Sequence, residues 1–599
     1  MADNYDDYTR EQLLRLLRER DRKPRFGLVW ERDEIEHDKA VNDDFVALDF
    51  DTALSCGGAP YRNLIIEGDN FDALRFLRMT HAGKVKCIYI DPPYNTGNRD
   101  FIYNDRFIDK DDVYKHSKWL EFMYRRLLVA KELLAEDGVI FVSIDDNEVF
   151  NLGALMNRVF GEDNHVATCV WQKRYSRENR GAIGDAHEYL LIYAINPFNF
   201  KVRRNKISLT EKQISVYKNV NPIHGRWRDI PMTAQGFRPN QMYEIVAPNG
   251  KKHKPPEGRC WSTVESQYLK LFKEGRIYFG KDGNGTPRII RYLSEVEGVV
   301  PWTWWPHEEV GHTDEARKEI QDIFGTQTAF DTPKPVRLIE RILRIATKLD
   351  DLVLDFFAGS GTTAHAVMKL NAEDGGNRRF ILVSSTEAVE EQIPPNPPFS
   401  KGGTTNEPLF SKGGIIGDLE VNSASSLPPL QKETAFLPPL KKGGRGGFQD
   451  KNLCRDVCAE RVRRVVLGYR NKKGEAVQGL GGDFAYLRTR RIPAEAVLSR
   501  IEHEQVWTAL QLIHTETLQP YVIGAAMQTA ELPDGMLAYC LKVNEETLKQ
   551  ILDLAKGNGI VVVYCWQPGW LRQYVPNENI SVEQIPAFLI NRFGGDYAA

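Results

Sequence analysis

Val85-Lys86-Cys87-Ile88-Tyr89-Ile90-Asp91-Pro92-Pro93-Tyr94-Asn95-Thr96-Gly97-Asn98 is the stretch on which the fold turns. Its first six residues read as a buried, β-branched strand, and the strand ends in an acid, two prolines and an aromatic. Prolines fix φ and remove N–H donors, so the chain leaves a sheet rigidly with its carbonyls free to accept hydrogen bonds. An acid at the carboxyl end of a parallel strand lies where ligands bind in open α/β sheets. Asp91 and the Pro92 carbonyl are therefore candidates to hold an amino group, and Tyr94 offers a stacking face to a planar ring. A strand-end turn without chemistry has the same local pattern, so the motif needs company.

Outward from it, the pattern predicts a strand over 63–67, helices over 70–79 and 117–135, and strands over 138–144 and 187–194. It resumes with helix 335–348, strand 352–357, helix 362–370 and strand 380–383. Strand and helix in alternation predict an α/β fold, a doubly wound and mostly parallel sheet covered by helices.

The second informative string is Val353-Leu354-Asp355-Phe356-Phe357-Ala358-Gly359-Ser360-Gly361-Thr362-Thr363. Strand, glycine turn and helix make a cradle, because glycine lets a ligand approach the backbone at the positive helix end. No Gly-Lys-Ser/Thr follows, so this is not a P-loop, and the glycine spacing differs from GxGxxG. Glu387 follows the next strand, 26 residues after Gly361, a spacing that suits a carboxylate gripping ribose hydroxyls.

Composition bounds what surrounds these motifs. The chain has 599 residues, 42% hydrophobic, with a net charge of -3, which excludes a uniformly basic nucleic-acid coat. That balance averages unlike parts. Residues 1–60 carry 9 Lys+Arg against 15 Asp+Glu and one short helix candidate over 10–20, while 201–300 carry 19 against 9. In 201–300 aromatics are interleaved: Tyr217, Trp227, Phe237, Tyr243, Trp261, Tyr268, Phe272 and Tyr278. That is either a basic surface domain or the electrostatic footprint of a nucleic-acid binder. Residues 393–449 are rich in Pro, Gly, Ser and Lys and repeat Pro-Pro-Phe-Ser-Lys-Gly-Gly-like units. They cannot bury enough apolar surface to offset their ordering entropy and read as a disordered insertion. Helical patterning returns over 453–467, and 500–599 reads as a small α/β region with its clearest strand over 559–565. Eight scattered cysteines without a CxxC pair, an acidic start and no run of 18 apolar residues suggest a cytoplasmic protein without a membrane span.

The two strings together, with the Asp-Pro-Pro-Tyr turn preceding Phe-Ala-Gly-Ser-Gly-Thr-Thr and a basic region between, resemble the β group of adenine-N6 DNA methyltransferases. Gly68-Asp69-Asn70, Ile144-Asp145-Asp146-Asn147-Glu148 and Thr332-Pro333-Lys334-Pro335 are similar to the modification (Mod) subunits of type III restriction–modification systems. The resemblance covers roughly 10–390 and 450–470. It implies S-adenosylmethionine as cofactor, duplex DNA as substrate, a restriction (helicase–nuclease) subunit as partner and a homodimer. It assigns Asp91, Pro92, Pro93 and Tyr94 to a flipped target adenine. Asp355, Phe357, Ala358, Gly359, Gly361 and Thr362 would form the cofactor cradle, and Glu387 would hold its ribose. Asp69 is either a cofactor contact or a helix N-cap, and Lys334 either faces the cofactor carboxylate or is a solvated lysine before a helix. For Asp145 and Asp146 the sequence favours strand-end caps. A cytosine-N4 enzyme and an inactive DNA-binding homologue are the rival readings.

The expected domains are an N-terminal acidic helical region (1–60), a catalytic half (61–200) and a target-recognition domain (201–325). A cofactor-binding half (326–392 and 450–490), the insertion (393–449) and a C-terminal α/β region (491–599) follow.

Overall fold

The computed structural model describes residues 44–97, 114–177, 182–325, 332–386, 451–557, 559–575, 579–585 and 587–594, with residues 9, 10, 13, 30, 102, 103, 106, 107, 330, 388 and 389. Most of 10–20, all of 393–449 and Glu387 lie outside them.

By contacts the chain divides into residues 204–302 and the remainder. In the larger unit, the elements used below are β1 (Phe45–Cys56), β2 (Leu64–Glu67), α1 (Asn70–His81), β3 (Val85–Ile90), α2 (Lys115–Leu133), β4 (Leu134–Ile144), α3 (Val149–Phe160), β5 (His165–Gln172) and β6 (His187–Ala194). They continue with β7 (Trp304–Trp305), α4 (Thr313–Phe324), α5 (Val336–Ala346), β8 (Leu352–Asp355), α6 (Thr362–Asp374), β9 (Arg379–Ser384), α7 (Glu460–Leu467), β10 (Phe484–Ile492) and α8 (His503–His514).

One ten-stranded sheet runs in the order β1-β10-β2-β9-β8-β3-β4-β6-β5-β7. The six strands from β10 to β4 are mutually parallel, β1 and β6 pair antiparallel to their neighbours, and β5 is antiparallel to β6 but parallel to β7. The sheet is thus the mostly parallel α/β architecture expected. Its central strands are buried on both faces: Ile65, Ile66, Ile88, Ile90, Val353 and Leu354 are fully enclosed. Double burial explains why they read as continuous apolar runs instead of alternating ones.

Three parts differ from the expected organisation. First, the stretch expected as an acidic helical region contains β1, whose Val46 and Leu48 are fully buried. Its acids Asp49 and Asp51 bond Arg490 and Arg488 of β10, so the charges that break the apolar pattern are neutralised by a strand far along the chain. Second, the compact basic unit ends at 302, and β7 and α4 belong to the larger unit. Ala316, Ile320, Ile323 and Phe324 bury the apolar side of α4. Third, the C-terminal region shares the main core. Its four strands, from Met527–Leu532 to Ile580–Gln584, form a separate sheet. Trp507 and Leu510 of α8, with Tyr539, Leu589 and Phe593, join Phe45 and Phe76 in one hydrophobic cluster. The Phe593 and Phe45 rings lie 4.7 Å apart.

Residues 204–302 carry a four-stranded sheet of their own and a core of Met232, Ile245, Trp261, Tyr268 and Phe279. Several interleaved aromatics therefore build this core. Tyr217, Trp261 and Tyr268 are buried, whereas Phe237 and Phe272 are exposed.

Candidate active site

β3 and β8 are the hinge of the winding. From β8 the chain passes through α6 to β9 on one side, and from β3 it passes through α2 to β4 on the other. They pair in parallel, with Val353 opposite Cys87 and Leu354 opposite Ile88. Their carboxyl ends, and with them Asp91 and Asp355, flank the crevice where open α/β sheets bind ligands.

The turn after β3 is pinned from both sides. Trp119 of α2, fully buried, donates from Nε1 to the Pro93 carbonyl at 2.7 Å. Asn95 sits in the left-handed region (φ 57°), which asparagine tolerates better than most residues. Its Nδ2 donates to Glu148 Oε1 at 2.5 Å and to the Lys115 carbonyl at 3.3 Å. Held this way, Asp91 accepts from the Tyr94 hydroxyl on Oδ1 (2.7 Å) and from Lys334 Nζ on Oδ2 (2.6 Å). Burial pushes the Asp91 carboxyl above the ordinary carboxylate range and Lys334 pulls it back, while Glu188 adds to the rise. Burial also opposes the charge on Lys334, but Asp91 and Glu188 outweigh it and hold the ammonium pKa above its ordinary value. A buried pair of this kind fixes geometry more than it adds stability.

The turn after β8 is closed from inside. Asp355 accepts from the Phe357 N–H (3.0 Å) and the Thr363 hydroxyl (2.5 Å). Burial drives its carboxyl from 3.8 up to about 7. The Ala358 N–H bonds the Val383 carbonyl of β9, and the Gly361 N–H returns to the Ala358 carbonyl at 2.7 Å. Gly359 and Gly361 have φ of 49° and 77°. At Gly361 a Cβ would lie 3.1 Å from the Cys458 carbonyl oxygen, so conformation and space both call for glycine. Arg461 of α7, wholly buried, donates from Nη1 to Ser360 and Thr362.

Arg126 of α2 ties a third turn to these two. It donates to Asp69 Oδ2 (3.0 Å) and to Asn70 Oδ1, and Asn70 Nδ2 donates to the Phe356 carbonyl. Its guanidinium lies 3.5 Å from the Phe122 ring centroid, and Phe122 lies 6.0 Å from Phe357.

Asp91, Pro92, Pro93 and Tyr94 thus share one turn, and Asp355 to Thr362 form its neighbour across the crevice. Asp355 gives both oxygens to closing its own turn. Asp69 N-caps α1, accepting from Phe71 and Asp72 N–H groups, with its side chain 43% exposed. Lys334 is not solvated: it is 8% exposed and paired with Asp91. Asp145 caps the N–H of Asn147, and Asp146 accepts from Tyr189. Sequence reasoning missed Glu188, Lys173, Asn95, Trp119, Arg126 and Arg461. Neither Glu188, next to His187 at the start of its strand, nor Arg126, in a helix that also carries Lys118, Glu121, Arg125 and Lys131, stands out locally, because the pattern does not separate a buried charge from a solvated one.

A glycine turn and an acid–proline–proline–aromatic turn thus lie side by side at the switch point of a parallel sheet, the place where α/β folds of this class bind ligands. The DNA methylase family model matches residues 85–393, and the chain belongs to that family. The Mod subunit of the type III restriction–modification enzyme StyLTI of Salmonella typhimurium is 39% identical over 352 residues, 55% of this chain and 53% of that protein. The type II methyltransferase M.KpnI of Klebsiella pneumoniae is 33% identical over 343 residues, 54% of this chain and 80% of that protein. Among solved structures, the PvuII DNA methyltransferase (cytosine-N4-specific) is 12% identical with a TM-score of 0.30, covering 56% of this chain and 87% of that one. The chain spans 53–60% of the length of three type III Mod subunits that it matches.

Proposed function

We propose that this chain transfers the methyl group of S-adenosylmethionine to the N6 amino group of an adenine in duplex DNA, as the modification component of a restriction–modification system. The observation that carries the reading is the adjacency of the two turns: the Asp91–Tyr94 turn and the Phe357–Thr362 turn end neighbouring parallel strands at the switch point.

The residues present fit the cofactor. Two positive-φ glycines, Gly359 packed against Phe330 and Gly361 against Cys458, make the tight turn that opens a 13-residue helix. Phe357 and Phe122 supply an apolar wall, and the partly exposed Asp69 carboxylate lies at the neighbouring turn. Ala358, Gly359, Gly361 and Thr362 would cradle the methionine end, with Asp355 holding their turn closed. Glu387, outside the described residues, would take the ribose. When bound, S-adenosylmethionine supplies an electrophilic methyl group.

The chain's own residues prepare the nucleophile. An exocyclic amine is poor because its lone pair is delocalised into the ring. Hydrogen bonds from that amine to Asp91 and the Pro92 carbonyl would draw the nitrogen toward tetrahedral geometry and localise the pair. Pro92 and Pro93 hold the turn rigid, and Tyr94 offers its ring to the base. Positioning and electrostatics then supply most of the rate enhancement. The target atom is inside the duplex, so the base must leave the stack, and stacking on an aromatic returns about 1–3 kcal/mol of that cost.

The acid at the head of the motif favours adenine, since cytosine-N4 enzymes ordinarily carry serine there. The relatives that are type III Mod subunits support a restriction subunit as partner, and the charge excess of 201–300 supports DNA contact by that region. Incubation with methyl-tritiated S-adenosylmethionine and unmethylated duplex DNA, followed by nucleoside separation, tests the reading. Label in N6-methyldeoxyadenosine is expected; label in N4-methyldeoxycytidine overturns the base assignment, and unlabelled DNA overturns the activity.

A further inference from the structure

The carboxylate meant for an incoming amine already holds one. Lys334 Nζ lies 2.6 Å from Asp91 Oδ2, 3.5 Å from Glu188 Oε2 and 5.1 Å from the centroid of the Tyr94 ring. An ammonium offers N–H donors on a tetrahedral nitrogen, so it satisfies Asp91 as an activated exocyclic amine would. A base amine and Lys334 therefore compete for the same oxygen.

Resting on the methyltransferase reading, we propose that Lys334 fills the amine's place in the resting pocket, and that Glu188 is a positioning residue, the second seat onto which the ammonium shifts when the target amine arrives.

Glu188 is built for that task. It is 8% exposed on β6, between His187 and Tyr189. Its Oε1 is held by Lys173 (3.4 Å), which Asp185 anchors at 2.8 Å. That leaves Oε2 facing the turn, 3.0 Å from the Tyr94 hydroxyl. Without a waiting carboxylate, lifting Lys334 off Asp91 would strand a buried cation, a strongly unfavourable state. With Glu188 in place, Lys334 has only to close a gap of 3.5 Å to an ordinary ion-pair contact of about 2.8 Å. Tyr94 can keep its single proton on Asp91 Oδ1 throughout.

The groups facing Asp91 are Lys334, Glu188, Tyr94, Tyr89 of β3 and Asp355 of β8. Of these, Lys334 and Tyr94 ease ionisation of Asp91, and the negative charge of Glu188 opposes it. Glu188→Gln therefore lets Asp91 ionise at lower pH, and the acid limb of the rate profile moves down.

The test uses the full chain and a duplex carrying its methylation site, with the target adenine and its 6-amino group kept, 2-aminopurine as its 3′ neighbour to report loss of stacking, and S-adenosylhomocysteine present. Wild type brightens as the base leaves the stack. Glu188→Gln should need about tenfold more enzyme for the same signal, the size of one lost charge-assisted contact. It should bind S-adenosylmethionine within about twofold of wild type by calorimetry, and its acid limb should shift to lower pH. Glu188→Asp, which keeps the carboxylate, should recover most of the signal. A Glu188→Gln chain that matches wild type in flipping and pH profile overturns the inference and leaves the functional reading standing, as does one that loses cofactor binding in equal measure. A wild type that leaves the 2-aminopurine dark overturns both.

Discussion

Asp91 accepts from two protein donors and faces a crevice shared with Asp355, so its replacement should separate chemistry from binding. Asp91→Ala is expected to abolish methyl transfer while S-adenosylmethionine affinity, measured by calorimetry, stays within a few-fold. Asp355 carries a pH signature. Burial raises its carboxyl from 3.8 to about 7, so the folded chain keeps a proton across that window that the unfolded chain has released. Stability contributed by this group therefore falls as pH rises from about 4 to about 7. Denaturant midpoints of wild type minus Asp355→Asn should decline across the window; a flat difference would deny the shift. Both acids were legible because each ends a strand in a recognisable string. Lys334 was only half legible. Its motif marked it as important, but its burial against Asp91 depends on the neighbouring strands, which no local pattern reports. Glu188 was not legible at all, because a glutamate in a strand reads the same whether it faces water or a lysine pair.

At the scale of the element, the glycine turn is the most constrained piece. Gly361→Ala imposes a Cβ on a φ of 77° and on the Cys458 carbonyl at 3.1 Å, costing about 1–3 kcal/mol and, with the turn displaced, about tenfold or more in cofactor affinity. Thermal melts with and without S-adenosylmethionine check both figures. The parallel core strands were legible because double burial writes them as apolar runs. β1 and β10 were not, because their arginine–aspartate ladder interrupts the apolar pattern and resolves only when the two strands meet. The helical pattern over 453–467 is a π-helix, Leu453–Ala459, followed by α7. Both give apolar spacings of three to five, so the sequence does not tell them apart.

For the whole molecule, the chain on either side of 393–449 comes back together. Ala388–Val389 pairs antiparallel with Lys451–Asn452, and the Cys454 N–H bonds the Ser385 carbonyl at 3.2 Å. Replacing 393–449 by a short glycine turn should leave methyl transfer within a few-fold of wild type; loss of folding by circular dichroism would show that the segment is structural. The C-terminal region is a different matter. Arg592 Nε donates to the Met79 carbonyl at 2.6 Å, Arg78 donates to the Phe593 carbonyl at 2.7 Å, and Phe593 completes the cluster around Phe45. It is part of the main core, a relation that its own composition does not carry. The activity we propose for these parts together is adenine-N6 methylation of duplex DNA at a defined sequence. Its most direct test is expression of the chain in a methylation-free bacterial host, followed by single-molecule sequencing of the host genome. N6-methyladenine is expected at one short motif and absent when Asp91→Ala is expressed instead; N4-methylcytosine, or an unmodified genome from a soluble wild-type chain, would overturn the assignment.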